Sequence, residues 1–320
     1  MPRRAPVDDG PAILVIGGPT ASGKSALAAD VAERFGGVVV NADSMQLYRD
    51  LPILTSWPDE GLRARAPHRL YGVLDGAERC SAGRWRALAT AEIERAQEEG
   101  ALPILVGGTG LYLKALLDGL APVPAIPEPV REEVRTLLAQ EGSAALHARL
   151  AARDPEAARR LQPGDSQRLM RAYEVIEATG RSLLAWQRER HEGFGGGAAL
   201  LVLEPPREAL YEACNERFDR MMEAGALDEA ARLKARGLDP RLPVMKAVGV
   251  RPLLDHLSGA TSLERAIVLG RQTTRRYAKR QTTWFRTQMP DAARMPDRYR
   301  AESKRESLSL IKRLLLTRRG

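Results

Sequence analysis

The chain has 320 residues, of which 44% are hydrophobic and 28% charged, with a formal net charge of +8 and a sequence pI of about 9.8. This composition is ordinary for a globular protein, and the length suits one large α/β domain with an inserted or appended smaller one. No apolar run approaches the ~20 residues that span a bilayer, and residues 1–11 lack the apolar segment of a secretory signal, so we expect no membrane association.

The two cysteines, Cys80 and Cys214, lie far apart in the sequence. They predict neither a disulfide framework nor a metal-binding cluster, so a reducing cytoplasm is the expected location. The basic charge balance favours a polyanionic partner, although many basic proteins bind no nucleic acid.

Short apolar runs alternate with helical segments in the first part of the chain. The first run, 12–16, is bounded by glycines, as is typical of a buried parallel strand. Similar runs follow at 38–40, 103–106 and 200–203, with predicted helices at 24–35 and 84–99 between them. This alternation predicts an α/β fold with a parallel sheet, covered by helices on both faces.

The alternation stops near residue 120, where four prolines mark a connection. The next ~70 residues have helical patterns only, and a glycine-rich stretch at 193–197 precedes the last predicted strand. We therefore expect a core formed by 1–125 and 198–320, with an all-helical insertion at 126–197. Beyond residue 206 the chain is predicted to be helical, ending in a basic segment with little apolar pattern.

A complete phosphate-loop motif, G-x-x-x-x-G-K-S, follows the first predicted strand and begins the first predicted helix. Glycines allow backbone N–H groups to converge on phosphate oxygens, and the helix N-terminus adds a partial positive charge. Lys24 supplies a full positive charge and the Ser25 hydroxyl is a potential Mg²⁺ ligand. The predicted phosphate-binding residues are Gly18, Pro19, Thr20, Ala21, Ser22, Gly23, Lys24 and Ser25.

Seven segments together resemble the bacterial tRNA dimethylallyltransferase family. They occur in the family's order and spread over residues 12–286. In this sequence they are GPTASGKS (18–25), DSMQLYRDL (43–51), PHR (67–69), LVGGTGLYLKALLDGL (105–120), DSQRLMR (165–171), KAVGVR (246–251) and AKRQTTWFR (278–286). The segment 53–58 departs from the family pattern D-I-G-T-A-K-P, and Val250 stands where an aromatic residue is more usual.

The resemblance implies a P-loop fold in which the loop holds the diphosphate of dimethylallyl diphosphate with Mg²⁺, without nucleotide hydrolysis. The dimethylallyl group goes to the exocyclic N6 of the adenine just 3′ of the anticodon, and the helical insertion and basic helices hold the anticodon arm. It implies that Asp43 acts as the base and Thr109 contacts the target nucleotide, and we add Arg217 as a donor-binding residue and expect a monomer. The predicted tRNA-binding residues are Asp43, Ser44, Met45, Gln46, Thr109, Arg131, Gln167, Arg168, Leu169, Met170, Arg171, Lys246, Gly249, Arg251, Lys279, Arg280, Gln281, Trp284 and Arg286.

Several of these residues also have purely structural interpretations. Asp43 follows a strand, where aspartate often caps a helix. Thr109 lies in a glycine-rich corner and suits a turn, and Arg217 suits a surface position. Each of the tryptophans at 57, 85 and 186 is more typical of packing than of base stacking.

A stretch without acidic residues, between Glu264 and Asp291, carries several arginines and lysines with aromatic residues between them. Residues 271, 275 and 279 share one helix face, and 272, 276 and 280 the adjacent one. Solvated faces normally mix charges, so this stripe favours a phosphate-facing surface. The basic residues of 312–319 instead suggest a solvated tail.

Three other functions remain as alternatives at this stage. A phosphate loop alone is typical of a nucleotide or small-molecule kinase, although no acidic metal-binding pair at a strand end supports it. A non-catalytic tRNA-binding protein would use the basic surface but would not need the phosphate loop beside Asp43. An enzyme that prenylates free adenine nucleotides would need neither the insertion nor the basic stripe.

Overall fold

The computed structural model describes residues 12–189 and 192–316, and it contains a six-stranded sheet with the order β3-β2-β4-β1-β5-β6. Every ladder in this sheet is parallel. The strands are β1 (Ile13–Gly17), β2 (Gly37–Asn41), β3 (His68–Arg69), β4 (Leu102–Gly107), β5 (Ala198–Leu203) and β6 (Ala293–Met295). The predicted α/β class with a parallel sheet is confirmed.

Helices cover the sheet and form most of the remaining chain. The first eight are α1 (Lys24–Phe35), α2 (Glu60–Arg65), α3 (Ala82–Glu98), α4 (Gly110–Leu117), α5 (Glu128–Arg153, interrupted at Gly142), α6 (Pro155–Arg160), α7 (Ser166–Thr179) and α8 (Leu183–Gln187). The others are α9 (Arg207–Glu223), α10 (Ala226–Ala235), α11 (Val250–Leu257), α12 (Leu263–Gln288) and α13 (Lys304–Leu316). Short 3₁₀ turns occupy Pro243–Lys246 and Ala301–Ser303.

The central strands are buried along their whole length, as their continuous apolar runs predict. Alternate side chains of β1 enter two separate cores, one on each face of the sheet. Ile13 and Val15 pack with Trp85 of α3, whereas Leu14 and Ile16 pack with Leu27 of α1. This two-sided burial fixes the sheet and therefore fixes the loops at the carboxyl ends of its strands.

Two edge strands are absent from the sequence-based prediction. β3 has two residues and β6 has three, so neither is long enough to show a periodic pattern. The prediction of helix alone beyond residue 206 is therefore wrong at β6, which pairs with β5.

The basic residues Lys312 and Arg313 of the predicted solvated tail are exposed, but they belong to a helix that packs on the sheet unit. Helix α13 places Ile311 at full burial, with Leu308 and Leu315 partly buried on the same core. The spacing of these residues gives an apolar face that the surrounding basic residues obscure in the sequence. Of the predicted tail, residues 317–319 lie outside the described part.

The chain divides into two compact units, one formed by the residues up to Leu117 and from Phe194, and the other by Asp118–Gly193. The second unit contains α5 to α8 around a core that includes Val134, Leu146 and Leu150. Its bounds differ from the predicted insertion, 126–197, because the backbone N–H of Phe194 bonds to carbonyls of the sheet unit at the end of α4. Among the described residues, no helix is long and apolar enough to cross a bilayer.

Candidate active site

The phosphate loop between β1 and α1 has a curled backbone that depends on glycine. Gly18 and Gly23 have φ values of 141° and 91°, in a region that other residues rarely adopt. A Cβ atom on Gly23 would also lie 2.6 Å from the carbonyl oxygen of Tyr299. The Lys24 amine closes the loop by donating a hydrogen bond to the Pro19 carbonyl at 2.8 Å. The motif therefore forms the loop that its sequence predicts.

Lys24 at the end of this loop and Arg217 of α9 are two cations that lie near each other. Burial, and after it the charge of Arg217, lower the pKa of the Lys24 amine to about 8, while Asp43 opposes the shift. Burial likewise lowers the pKa of the Arg217 guanidinium, again opposed by Asp43. Arg217 Nη2 also donates to the Thr55 carbonyl at 3.2 Å. One carboxylate beside two desolvated cations leaves a site that favours an added anion.

Asp43 lies just beyond β2 in a tight turn rather than at a helix end. Its Oδ1 accepts a hydrogen bond from the Met45 N–H at 3.0 Å, whereas the next helix, α2, begins only at Glu60. The buried side chain of Asn41 accepts from the Asp43 N–H at 2.8 Å and donates to its carbonyl at 3.0 Å. The helix-cap interpretation of Asp43 is therefore wrong, and the carboxylate is held by its neighbours at the edge of the sheet.

Thr109 fixes the same turn from the neighbouring strand. β4 lies between β1 and β2 in the sheet, so the segment after β4 separates the phosphate loop from Asp43. Thr109 Oγ1 accepts from the Ser44 N–H at 2.9 Å and lies 3.2 Å from the Ser44 hydroxyl oxygen. The structure thus gives Thr109 a positioning contact with the residue that follows Asp43.

Gln281 of α12 joins the two loops. Its Oε1 accepts from the Thr20 N–H at 2.8 Å, and its Nε2 donates to the Gly108 carbonyl at 2.9 Å. The side chain is 5% exposed. Gln281 therefore ties α12 to the phosphate loop, a contact that the sequence does not reveal.

Two cavities open around these residues and share Arg217 and Met221. The first, of about 230 Å³, contains Asp43 and has an apolar part formed by Met45, Leu54, Met221 and Val248. The second, of about 570 Å³, contains Lys24 and Ser25 of the phosphate loop. Other residues of the first cavity are Thr20, Ser44, Thr55, Lys246, Thr274, Tyr277 and Arg280. An anion beside Lys24 and a group beside Asp43 would thus meet at Arg217.

The predicted tRNA-binding residues of the sheet unit have diverse surroundings. Lys246 and Arg280 are exposed and line the first cavity, and Lys279 is exposed on α12. Arg251 pairs with Asp255 at 2.8 Å, and Arg286 pairs with Glu204 at 2.5 Å. The side chain of Gln46 donates to the carbonyls of Thr55 and Ser56. Gly249 is buried, and the half-buried ring of Trp284 packs over Gly110.

The basic stripe of α12 divides into two parts. Arg271 pairs with Asp219 at 2.6 Å, and Arg275 Nη1 donates to Asn215 Oδ1 at 2.5 Å. Both partners belong to α9, so the acidic residue missing from α12 is supplied by another helix. Arg276, Lys279 and Arg280 are exposed, so this part of the stripe faces outward.

In the helical unit, the predicted residues of α7 alternate between surface and core. Gln167 and Arg168 are exposed, whereas Leu169 is fully buried and Met170 packs partly against the same core. Burial lowers the pKa of the Arg171 guanidinium, and Arg131 of α5 contributes to this shift while Glu174 opposes it. Arg131 and Arg171 are therefore near each other within this unit.

The three tryptophans weighed for base stacking all pack against other side chains. Trp85 is fully buried and stacks on Tyr112, with ring centroids 4.8 Å apart. Trp186 lies under the Arg181 guanidinium, and Trp57 contacts the ring of Tyr71.

Sequence reasoning missed two residues of the site, Asn41 and Tyr277. Asn41 has a visible signal, since it is the single polar residue that ends an apolar strand.

A metal ion bound at this site would need ligands from the substrate as well as from the protein. Within the described ranges, no group of three or more histidine, cysteine, aspartate or glutamate side chains is arranged to hold one. The Ser25 hydroxyl lines the phosphate-loop cavity, and Mg²⁺ in such sites takes few protein ligands together with substrate phosphate oxygens and water. The residues present therefore suit an ion that arrives with a diphosphate.

The chain is similar to known proteins over most of its length. The family model described as "IPP transferase" matches residues 46–288. The tRNA dimethylallyltransferase of Rhodospirillum centenum is 56% identical over 296 residues, which cover 92% of each chain. That of Paramagnetospirillum magneticum is 57% identical over 277 residues, 86% of this chain and 88% of the relative.

Solved structures are similar over nearly the whole chain. The full-length tRNA isopentenylpyrophosphate transferase of Bacillus halodurans matches with a TM-score of 0.70 at 33% identity, covering 95% of this chain and 96% of the other. A eukaryotic dimethylallyltransferase acting on tRNA matches with a TM-score of 0.79 at 27% identity, covering 94% of this chain and 77% of the other. Sequence and structure together show that the chain belongs to the IPP transferase family.

Proposed function

We propose that this chain transfers a dimethylallyl group from dimethylallyl diphosphate to the exocyclic N6 of the adenine immediately 3′ of the anticodon in tRNA, releasing diphosphate. The observation that carries the proposal is the pair of cavities that share Arg217 and Met221. One offers a phosphate loop with half-buried cations, and the other offers a carboxylate beside apolar side chains.

The donor suits the phosphate-loop side of this arrangement. As the C–O bond to the diphosphate breaks, negative charge develops on the leaving oxygen, and the loop N–H groups, Lys24 and Arg217 stabilise it. The apolar side chains of Leu54, Met221 and Val248 form a surface for the dimethylallyl group. Mg²⁺, with Ser25 as a protein ligand, would add charge neutralisation of the departing diphosphate.

The acceptor suits the side that contains Asp43. The adenine amine is a weak nucleophile because its lone pair is delocalised into the ring. As its nitrogen forms the bond to the allylic carbon, the Asp43 carboxylate takes one of its protons. The base must leave the anticodon-loop stack to reach the sheet edge. Asn41 and Thr109 hold the turn, so the carboxylate is pre-positioned for this transfer.

Affinity for tRNA should depend steeply on salt, because each neutralised phosphate releases counterions. Lys279 and Arg280 are exposed cations on the outward part of α12. We expect the double variant Lys279→Ala/Arg280→Ala to bind tRNA more weakly, and its slope of log K against log salt to become shallower by about 0.7–0.9 per lost phosphate contact. Filter binding or fluorescence anisotropy over a salt series measures both quantities.

The matched control for this experiment is Arg271→Gln on the same helix. Arg271 is paired with Asp219, so its replacement should leave the slope unchanged. A double variant with the parental slope would place Lys279 and Arg280 outside the tRNA interface.

Affinity for diphosphate should fall as pH rises above about 8, because the Lys24 amine then loses its proton. Bound diphosphate favours the charged amine and raises its pKa, so binding near pH 8–9 should take up a proton. Calorimetry in two buffers with different ionisation heats measures this uptake. The same uptake in Lys24→Met would assign it to another group.

The functional proposal is tested by incubating the protein with bulk tRNA and labelled dimethylallyl diphosphate, and we expect label in the RNA. A kinase would instead release label from γ-labelled ATP without tRNA and would leave the prenyl donor untouched. A non-catalytic tRNA-binding protein would do neither. Prenylation of free adenine nucleotides at a rate equal to that of tRNA would point to the smaller acceptor.

A further inference from the structure

The segment between β6 and α13 runs along the phosphate loop. The backbone N–H of Tyr299 donates to the Ser22 carbonyl at 3.0 Å. The Tyr299 carbonyl oxygen covers Gly23 so closely that no side chain fits there. The Tyr299 hydroxyl donates to Asp30 of α1, and the residue is 5% exposed. Both the loop and the helix that follows it therefore hold this segment in place.

Arg298, the preceding residue, lines the same cavity as Lys24 and Ser25. Its side chain is 25% exposed, and its charge is poorly matched within the protein. The ion pair with Glu216 has an N–O distance of 4.0 Å, and Glu216 is 58% exposed and also shared with Arg220. The Nε atom is buried and has no hydrogen-bond partner in the described part of the chain. An incompletely paired arginine thus lines the phosphate-loop cavity.

We propose that Arg298 is a further binding residue for the donor diphosphate. A guanidinium suits phosphate oxygens because its N–H groups donate in a fixed, planar fork. Tyr299 anchors the backbone beside the loop, so binding does not require the backbone of this segment to become ordered. Lys24 and Arg217 approach the cavity from α1 and α9, whereas Arg298 comes from a third segment. It lies beyond residues 46–288, so the family match does not assign it.

The inference rests on the proposed function for the identity of the donor. The test compares Arg298→Gln with Arg298→Lys and uses Arg300→Gln as the matched control. Arg300 belongs to the same segment and is exposed, and its hydrogen bonds with Ser303 involve only its backbone. Glutamine keeps polar N–H groups but removes the charge, and lysine keeps the charge without the fork.

Calorimetry with inorganic diphosphate and steady-state transfer to tRNA provide the readouts. For Arg298→Gln we expect diphosphate to bind about ten-fold more weakly, as for the loss of one charge-assisted contact. The KM for dimethylallyl diphosphate should rise similarly, with kcat near normal and tRNA affinity unchanged. Arg298→Lys should recover part of the affinity, and Arg300→Gln should match the parent.

Two results would overturn this assignment. In the first, Arg298→Gln binds diphosphate as tightly as the parent. In the second, both Arg298 variants lose tRNA and diphosphate affinity together with thermal stability, which indicates a structural role. Failure of the proposed function is distinguishable, because the parent protein itself would then transfer no label to tRNA, and the role of Arg298 in binding this donor would fall with it.

Discussion

Asp43→Asn should lower single-turnover transfer by about 10²–10⁴-fold, the usual contribution of a positioned general base. The amide cannot take the proton from the adenine nitrogen. Its oxygen can still accept the Met45 N–H bond that holds the turn, so folding should be almost unaffected. We expect donor and tRNA affinities close to those of the parent, with the loss confined to kcat.

Asp43→Ala is the matched comparison for the structural contribution of this residue. It also removes the bond from Met45 and should cost on the order of 1 kcal/mol of unfolding free energy beyond the loss of activity. Thermal unfolding and rapid-quench transfer on both variants separate the two effects. Near-normal transfer by the asparagine variant would remove Asp43 from the mechanism.

Lys24→Met should lower kcat/KM by about 10²–10³-fold, because the leaving diphosphate loses a preorganised cation. The same variant should be more stable than the parent at pH 7. Burial, with a smaller contribution from Arg217, holds the pKa of Lys24 at about 8, below the ordinary 10.5, so below pH 8 the folded protein carries an unfavourable, partly desolvated charge. Removing it should raise the free energy of unfolding by on the order of 1–3 kcal/mol, partly offset by the lost bond to Pro19.

This gain in stability has a defined pH range. It should be complete below pH 8, fade as the pH rises, and vanish above about 10.5, where the amine is neutral in both states. Lys234→Met is the matched control, since that exposed lysine also donates to a backbone carbonyl, at 2.7 Å. Denaturant unfolding at several pH values measures the effect. A Lys24→Met variant that is less stable than the parent at every pH would contradict the assigned burial of charge.

The parts of the fold and site that the sequence predicts are local patterns. Apolar runs predict β1, β2, β4 and β5 because strands buried on both faces need continuous apolar residues. The phosphate loop is predicted by its glycines, which are needed for backbone geometry and close approach. The position of Asp43 at a strand end follows from the same pattern, but its turn, held by Asn41, does not.

The unpredicted features depend on residues far apart in the sequence. Gln281 resembles a surface residue of a basic helix, yet it bonds to the phosphate loop across 261 positions. Arg271 belongs to a stretch without acids but is neutralised by Asp219 of another helix. Arg298 follows an edge strand too short to show a pattern. Such contacts arise from packing of the sheet and helices, and one sequence carries no local signal for them.

The central claim is tested most directly by locating the transferred group in the RNA. An anticodon stem-loop that carries adenine 3′ of the anticodon is incubated with the protein, Mg²⁺ and dimethylallyl diphosphate, and its nucleosides are separated by chromatography and mass spectrometry. The account predicts N6-dimethylallyladenosine from that position, and none from a stem-loop in which guanine replaces this adenine. An unmodified stem-loop, or modification that persists after the replacement, would contradict it.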